Sequence, residues 1–391
     1  MTRQCIPNSN SDQFQVRRTP LVPCNPLPRH PTHHPSRPPQ YLLALFVMLL
    51  GVVGTTRLDA QTPSGWALRS SAAADLWFHS MALTGYDAFG AVPLYLPGYA
   101  VQVRAARERA GKGPTRLERE AGILGSAFAA DRDFEVLHFV PMYFAAADVD
   151  QMIDALDAVA ADGERAAARL PVVARFGAAA ISSVLKTPLQ RATLARFVAA
   201  VRAEWTSDYR MERIEQSAAR NAAIQAASRT WAEQAAPAVG AALAGQSLDA
   251  GVILVSPPLG QEGRFFAGRP NDRTDNLVAV HLSFSTAAAG DAAWLAVREM
   301  SFTSARQALA AAGALPADPE AGEVATGRAA AHLGAALVAA HGGAASLDAY
   351  RSALVRVLGR PVPTGPLAIK EAFQAAYPLT AAAAALGRNE Y

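Results

Sequence analysis

Glu299 is the residue from which a chemical reading of this chain starts. It lies in Trp294-Leu-Ala-Val-Arg298-Glu299-Met300-Ser301-Phe302, a stretch with helical spacing. A carboxylate on a helix face can serve as a general base once it reaches a cleft. A second carboxylate, Glu323, opens the downstream segment GEVATGRAAAHLGAAL. The histidines beyond the leader are His79, His138, His281, His332 and His341. No two stand three or four residues apart, so no helix face carries a histidine pair for a metal. His281, on an expected strand, and His332, on the downstream helix, could still approach each other and Glu299 and rebuild a metal site.

The layout around Glu299 resembles that of zincin metallopeptidases. There an edge strand precedes a helix bearing H-E-x-x-H, whose two histidines share one face and bind zinc while the glutamate acts as base. In this chain Arg298 and Phe302 stand at the histidine positions, and only Glu299 matches. The gluzincin branch takes a third ligand from a downstream helix. Glu323 fits that place, and Gly327 stands where an aspartate commonly follows. A guanidinium cannot ligate a cation and a phenyl ring has no donor atom. The resemblance covers roughly residues 250–340 and implies a zincin-like fold without zinc, with Glu299 as a vestigial catalytic residue and no cofactor. It also implies that the strand before the helix, with Val278 and Val280, pairs with an extended peptide. The alternative is an ordinary amphipathic helix over 288–312. Trp294, Leu295, Val297 and Phe302 would then face the core, with Arg298 and Glu299 solvated or paired.

Other motifs are weaker. Ser183-Val-Leu-Lys186 fits the S-x-x-K pattern of serine β-lactamases and penicillin-binding proteins. Ser207-Asp208-Tyr209 departs from the second motif of that family at its third residue, and no K-T-G follows. Asp148, Asp150, Asp154 and Asp157 lack the central glycine of a calcium loop and read as a helix start. Gly240 and Gly245 lack the Lys-Ser/Thr of a phosphate loop.

The elements that must position Glu299 follow from periodicity. Helices are expected at about 67–84, 100–111, 115–130, 149–169, 172–186, 188–205 and 207–235. Thr115 and Glu118 form a capping-box pattern, and Asp148 is an N-cap residue. The helix at 207–235 carries Arg210, Glu212, Arg213, Glu215 and Arg220, which read as a solvated face. Strands are expected at 251–256 (GVILVS), 264–267 and 276–284. Helix resumes at 288–312, 319–341, 346–358 and 367–388. The fold class is mostly α (α+β), a multi-helix domain with a small antiparallel sheet at about 250–284.

Composition sets the frame. The chain has 391 residues, 51% hydrophobic and 18% charged, enough for a substantial core. Residues 1–40 are proline-rich and read as a disordered leader, with His30, His33 and His34 among the prolines. Tyr41–Gly54 has the length of a signal-peptide apolar region, after Arg29 and Arg37 and before a cleavage site at Ala60. The leader is long, and initiation is expected nearer the apolar run. Cleavage would remove six arginines (Arg3, Arg17, Arg18, Arg29, Arg37, Arg57) and two aspartates (Asp12, Asp59), bringing the net charge from +3 to near −1. That leaves no basic footprint for nucleic acid. It would also remove Cys5 and Cys24, the chain's two cysteines.

The expectation is therefore an exported protein, periplasmic or secreted, with one helix-rich domain over 61–391. It would be an inactive zincin-like protein that binds a peptide or protein partner. A structural or interaction module of the cell envelope is one alternative. A hydrolase built on Glu299 and Glu323 is another. Membrane contact is expected only if the apolar segment stays uncleaved.

Overall fold

The computed structural model describes residues 65–87, 93–245, 248–267 and 276–379, which belong to one compact unit. The leader, the signal segment, the cleavage site and both cysteines lie outside the described residues. So does the end of the last expected helix, from residue 380 on. Among the described residues no helix is long and apolar enough to cross a membrane.

The chain is mostly helical with a small four-stranded sheet. Strand β1 (Trp66–Arg69) leads into α1 (Ala72–Thr84). Six helices follow: α2 (Tyr99–Arg109), α3 (Arg116–Ala129), α4 (Val140–Tyr143), α5 (Val149–Asp162), α6 (Val172–Val184) and α7 (Pro188–Glu204). A 3-10 segment, Arg132–Phe139, joins α3 to α4. Next come α8 (Arg210–Glu215), α9 (Ser217–Thr230) and α10 (Ala236–Gly245). Strands β2 (Gly251–Ser256), β3 (Arg264–Phe266) and β4 (Leu277–His281) complete the sheet. The chain then runs through α11 (Asp291–Met300), α12 (Phe302–Ala311), α13 (Pro319–His341), α14 (Gly343–Val357) and α15 (Pro366–Ala376).

Local chemistry explains several boundaries. Thr115 with Glu118, and Asp148 with Gln151, form complete capping boxes at α3 and α5. Thr187 with Gln190 forms a third at α7. Such N-caps are each worth about 1 kcal/mol. The helix expected from Ala67 begins only at Ala72, because the Ser71 hydroxyl accepts from the Ala74 amide and fixes the start there. The four residues before it extend instead as β1.

The sheet corrects the antiparallel expectation. Its order is β1-β2-β4-β3, with β1, β2 and β4 parallel and only β3 antiparallel, at the edge. The reason is visible in GVILVS, a continuous apolar run. A strand buried on both faces has no polar face to alternate with, and that is the habit of parallel strands under helices. Leu254, Leu277 and Ala279 join the core built by α1–α7. Ile253, Val255, Val278 and Val280 join the other, built mainly by α9–α15. The sheet is thus the middle of three layers.

A buried polar network ties α1 to its neighbours and draws Arg213 and Arg220 of 207–235 inward, while Arg210 and Glu215 stay exposed as that largely solvated face was expected to. Asp75, fully buried, pairs with Arg220 at 2.8 Å and Arg213 at 3.1 Å. One turn on, His79 meets Tyr99 at 2.9 Å and Glu204 at 3.3 Å. Arg107 bonds Glu204 and also Asp208, at 2.7 Å from the latter. Burial works to raise the Glu204 pKa, but the His79 bond and its companions hold it below the ordinary value. Two arginines of the polar stretch are therefore spent inward, where their charge is matched.

Candidate functional site

The cleft that concerns Glu299 lies where α11, α12 and α13 meet β3 and the 3-10 segment. It holds about 260 Å³, and Glu135, His138, Phe139, Glu262, Arg264 and Glu299 are among its walls. Phe265, Phe302 and Glu323 line it too. Glu299 and Phe302, from one stretch, and Glu323, from the next helix, therefore share one cleft. Two of them are pinned: Glu299 by Arg298, and Glu323 by Arg306.

Helix α11 positions Glu299. Its residues Trp294, Leu295 and Val297 are buried in the core beneath the sheet. The expected single helix over 288–312 breaks at Ser301, whose amide reaches the carbonyls of Val297 and Arg298 and whose hydroxyl returns to Val297. Phe302 therefore starts α12. It leaves the core, where the amphipathic-helix reading put it, and enters the cleft wall.

Arg298 lies beneath the wall, 1% exposed. It bonds Glu299 and the Gln261 carbonyl (3.2 Å) and approaches Glu262 at 3.9 Å. Burial by itself would lower its pKa, but Glu299, Tyr377 and Glu262 hold it above the ordinary arginine value. Its outer nitrogen fills the space beside Gly327: a Cβ there would sit 2.8 Å from Nη2. Gly263 is equally confined, since a Cβ would meet the Glu299 side chain at 2.7 Å.

Glu262, His138 and Arg264 are the site residues that sequence reasoning missed. Glu262 stands in the irregular Gly260–Gly263 turn between β2 and β3, where no periodicity flags it. Burial is the largest influence on its carboxyl and pushes the pKa up to about 7, against the pull of Arg298 and Arg264. His138 is fully buried in the 3-10 segment. Its Nδ1 meets the Tyr95 hydroxyl at 2.9 Å, and its Nε2 has no hydrogen-bond partner. Burial, then Arg264, lowers its pKa well below the ordinary value, so it is neutral near pH 7.

The remaining candidates fall elsewhere. His281 and His332 bond the carbonyls of Pro257 and Tyr377 and do not line the cleft, so the rebuilt histidine site is not assembled. Among the described residues no group of three or more His, Cys, Asp or Glu is arranged to hold a metal. The residues at the zincin ligand positions do not fit zinc: Arg298 is cationic and Phe302 has no donor. Val278 lies on β4 between β2 and β3 and offers no open edge to a peptide, while Val280 pairs with Val255 of β2 just beyond the last residue registered with β3. That correction has a packing cause: β3 doubles back onto β4 and becomes the edge. Ser183 donates to its own helix at Ala180 and, like Lys186, faces solvent. Asp154 and Asp157 both pair with Arg202.

No family model, curated protein or solved structure matches this chain.

Proposed function

We propose that this protein is exported and binds an extended peptide segment of a partner along the outer edge of β3, without catalysing its cleavage. The observation that carries the reading is the convergence of Glu299, Phe302 and Glu323 on a cleft bordered by an edge strand. Among the described residues β3 has a strand neighbour on one side only, and such an edge is a template for main-chain pairing. An aromatic strip continues along it. Phe266 packs edge-on to Tyr143 and to Phe176, and Phe176 is 56% exposed. Side chains projecting from a paired peptide would find these rings.

In the hydrolase alternative Glu299 and Glu323 would handle the proton, and both are engaged in ion pairs, with the buried Arg298 and with Arg306. Arg298 supplies, covalently, the positive charge that a metal would bring to such a wall. The zincin resemblance thus reads as descent with the chemistry removed. Export rests on the Tyr41–Ala60 pattern alone.

The test is fluorescence anisotropy with a labelled Val/Thr-rich decapeptide. Binding should weaken at least tenfold when alternate backbone nitrogens of the peptide are N-methylated, since pairing then loses its donors. Equal binding of both peptides, or of neither, rejects edge pairing. The latter outcome would leave a packing module of the envelope.

A further inference from the structure

The cleft beside β3 contains a second layer of information, about which peptide it takes. We propose that it selects a segment carrying a lysine or arginine, whose alkyl stem lies against Phe302, Phe139 and Phe265 while its cationic head reaches Glu262. The inference rests on the peptide-binding reading above and specifies its ligand.

Four carboxylates line this cleft: Glu135, Glu262, Glu299 and Glu323. Glu299 and Glu323 each have a close arginine. Glu262 does not. Its nearest cations, Arg264 at 3.8 Å and Arg298 at 3.9 Å, stand outside hydrogen-bond reach. This nearly buried carboxyl is flanked by two guanidiniums at ion-pair distance but hydrogen-bonded to neither, and an ammonium or guanidinium from a ligand supplies that hydrogen bond. Three aromatic rings in the same wall suit a side chain that is apolar along its length and charged at its tip.

His138 is the independent observation. It is fully buried, lines the cleft, and keeps an unpartnered Nε2 while Tyr95 holds Nδ1. A buried polar atom without a partner is costly. In the tautomer whose Nδ1–H donates to Tyr95, Nε2 is left as a buried acceptor without a partner, which a ligand ammonium reaches only as the wall gives way. Being neutral near pH 7, the ring does not repel a cation. An anionic side chain would instead meet Glu135 and Glu262 beside the paired Glu299 and Glu323, with Arg264 also in the wall.

Binding of a cation must also pull a proton off Glu262, whose pKa stands near 7. The groups that set this titration are Arg264 from β3, Arg298 and Glu299 from α11, and Glu323 from α13. His138 and Glu135 face it across the cleft from the 3-10 segment, and Arg306 of α12 acts through Glu323. A ligand cation favours the ionised form, so affinity should rise as pH climbs through 7.

The experiment uses three Val/Thr-rich decapeptides that differ at one central residue: lysine, norleucine or glutamate. Each is titrated into wild-type protein and Glu262→Gln at pH 5.5 and 8. The lysine peptide should bind wild type at pH 8 at least tenfold more tightly than the norleucine peptide. The glutamate peptide should bind weakest. Glu262→Gln should bring lysine and norleucine within about twofold of each other and remove the gain between pH 5.5 and 8. If all three peptides bind wild type alike, cation selection is overturned while peptide binding stands. If none binds, the peptide reading falls with it.

Discussion

Arg298 and Gly327 face each other across the junction of α11 and α13, and each makes room for the other. A Cβ at residue 327 would come within 2.8 Å of the Arg298 Nη2. Glycine inside a helix normally costs about 1 kcal/mol relative to alanine. Here that cost leaves space for a buried guanidinium. Gly327→Ala should therefore destabilise the wild-type protein but stabilise an Arg298→Met protein. The coupling should exceed about 1 kcal/mol in a double-mutant cycle followed by urea denaturation. Additive effects would show that the two side chains do not compete for this space.

Arg298 is also the ion-pair partner of Glu299 inside the wall. Arg298→Met alone strands that carboxylate, and loss of one partner of a buried pair costs about 3–5 kcal/mol. Adding Glu299→Gln should recover much of the loss, because the unmatched charge goes too. A double variant no more stable than the single one would mean that Glu299 is not the group Arg298 compensates. Urea midpoints of the three proteins measure this.

Glu262 predicts a pH dependence of stability in the absence of any ligand. Its pKa is about 7 in the folded chain against 4.5 for the free group. The native state thus favours the protonated form, which is uncharged. That contribution is complete below about pH 4.5 and is lost as pH rises through 7, at a slope set by proton linkage. Wild type should lose on the order of a few kcal/mol from this group between pH 5 and 8. Glu262→Gln should abolish that portion of the decline and be the more stable protein at pH 8. Parallel stability–pH curves for the two proteins would contradict the raised pKa.

Asp75 holds two arginines in the network across α1, α8 and α9. Asp75→Asn keeps the shape and deletes the charge. Arg220, almost fully buried, then loses its carboxylate. A loss of about 3 kcal/mol or more is expected by denaturant titration, with no change in peptide affinity. A loss below about 1 kcal/mol would place this network among weakly coupled surface pairs.

Val278→Pro separates a buried strand from a binding edge. β4 is paired to β2 and to β3, so proline removes a ladder donor from the middle of the sheet. The variant should lose cooperative unfolding altogether, as judged by near-UV circular dichroism. A folded variant that had lost only peptide binding would restore β4 as the pairing strand.

The sequence by itself determined what depends on neighbours a few residues away. The capping box at Thr115, the N-cap at Asp148, the helical periods and the run GVILVS are such features, and they fixed the mostly helical class. It also placed Glu299 and Glu323 as residues worth watching, on the strength of a resemblance in layout. Only the tertiary structure decided the rest. Whether β2 lies parallel or antiparallel depends on which strands flank it, and β1 came from 185 residues upstream. Glu262 and His138 sit in a turn and a 3-10 segment that carry no period, and their chemistry comes from burial against α11, α13 and Tyr95. Arg213 and Arg220 read as solvent-facing because charge is usually solvated. A buried aspartate on α1, more than 130 residues away, made the interior cheaper for them than the surface.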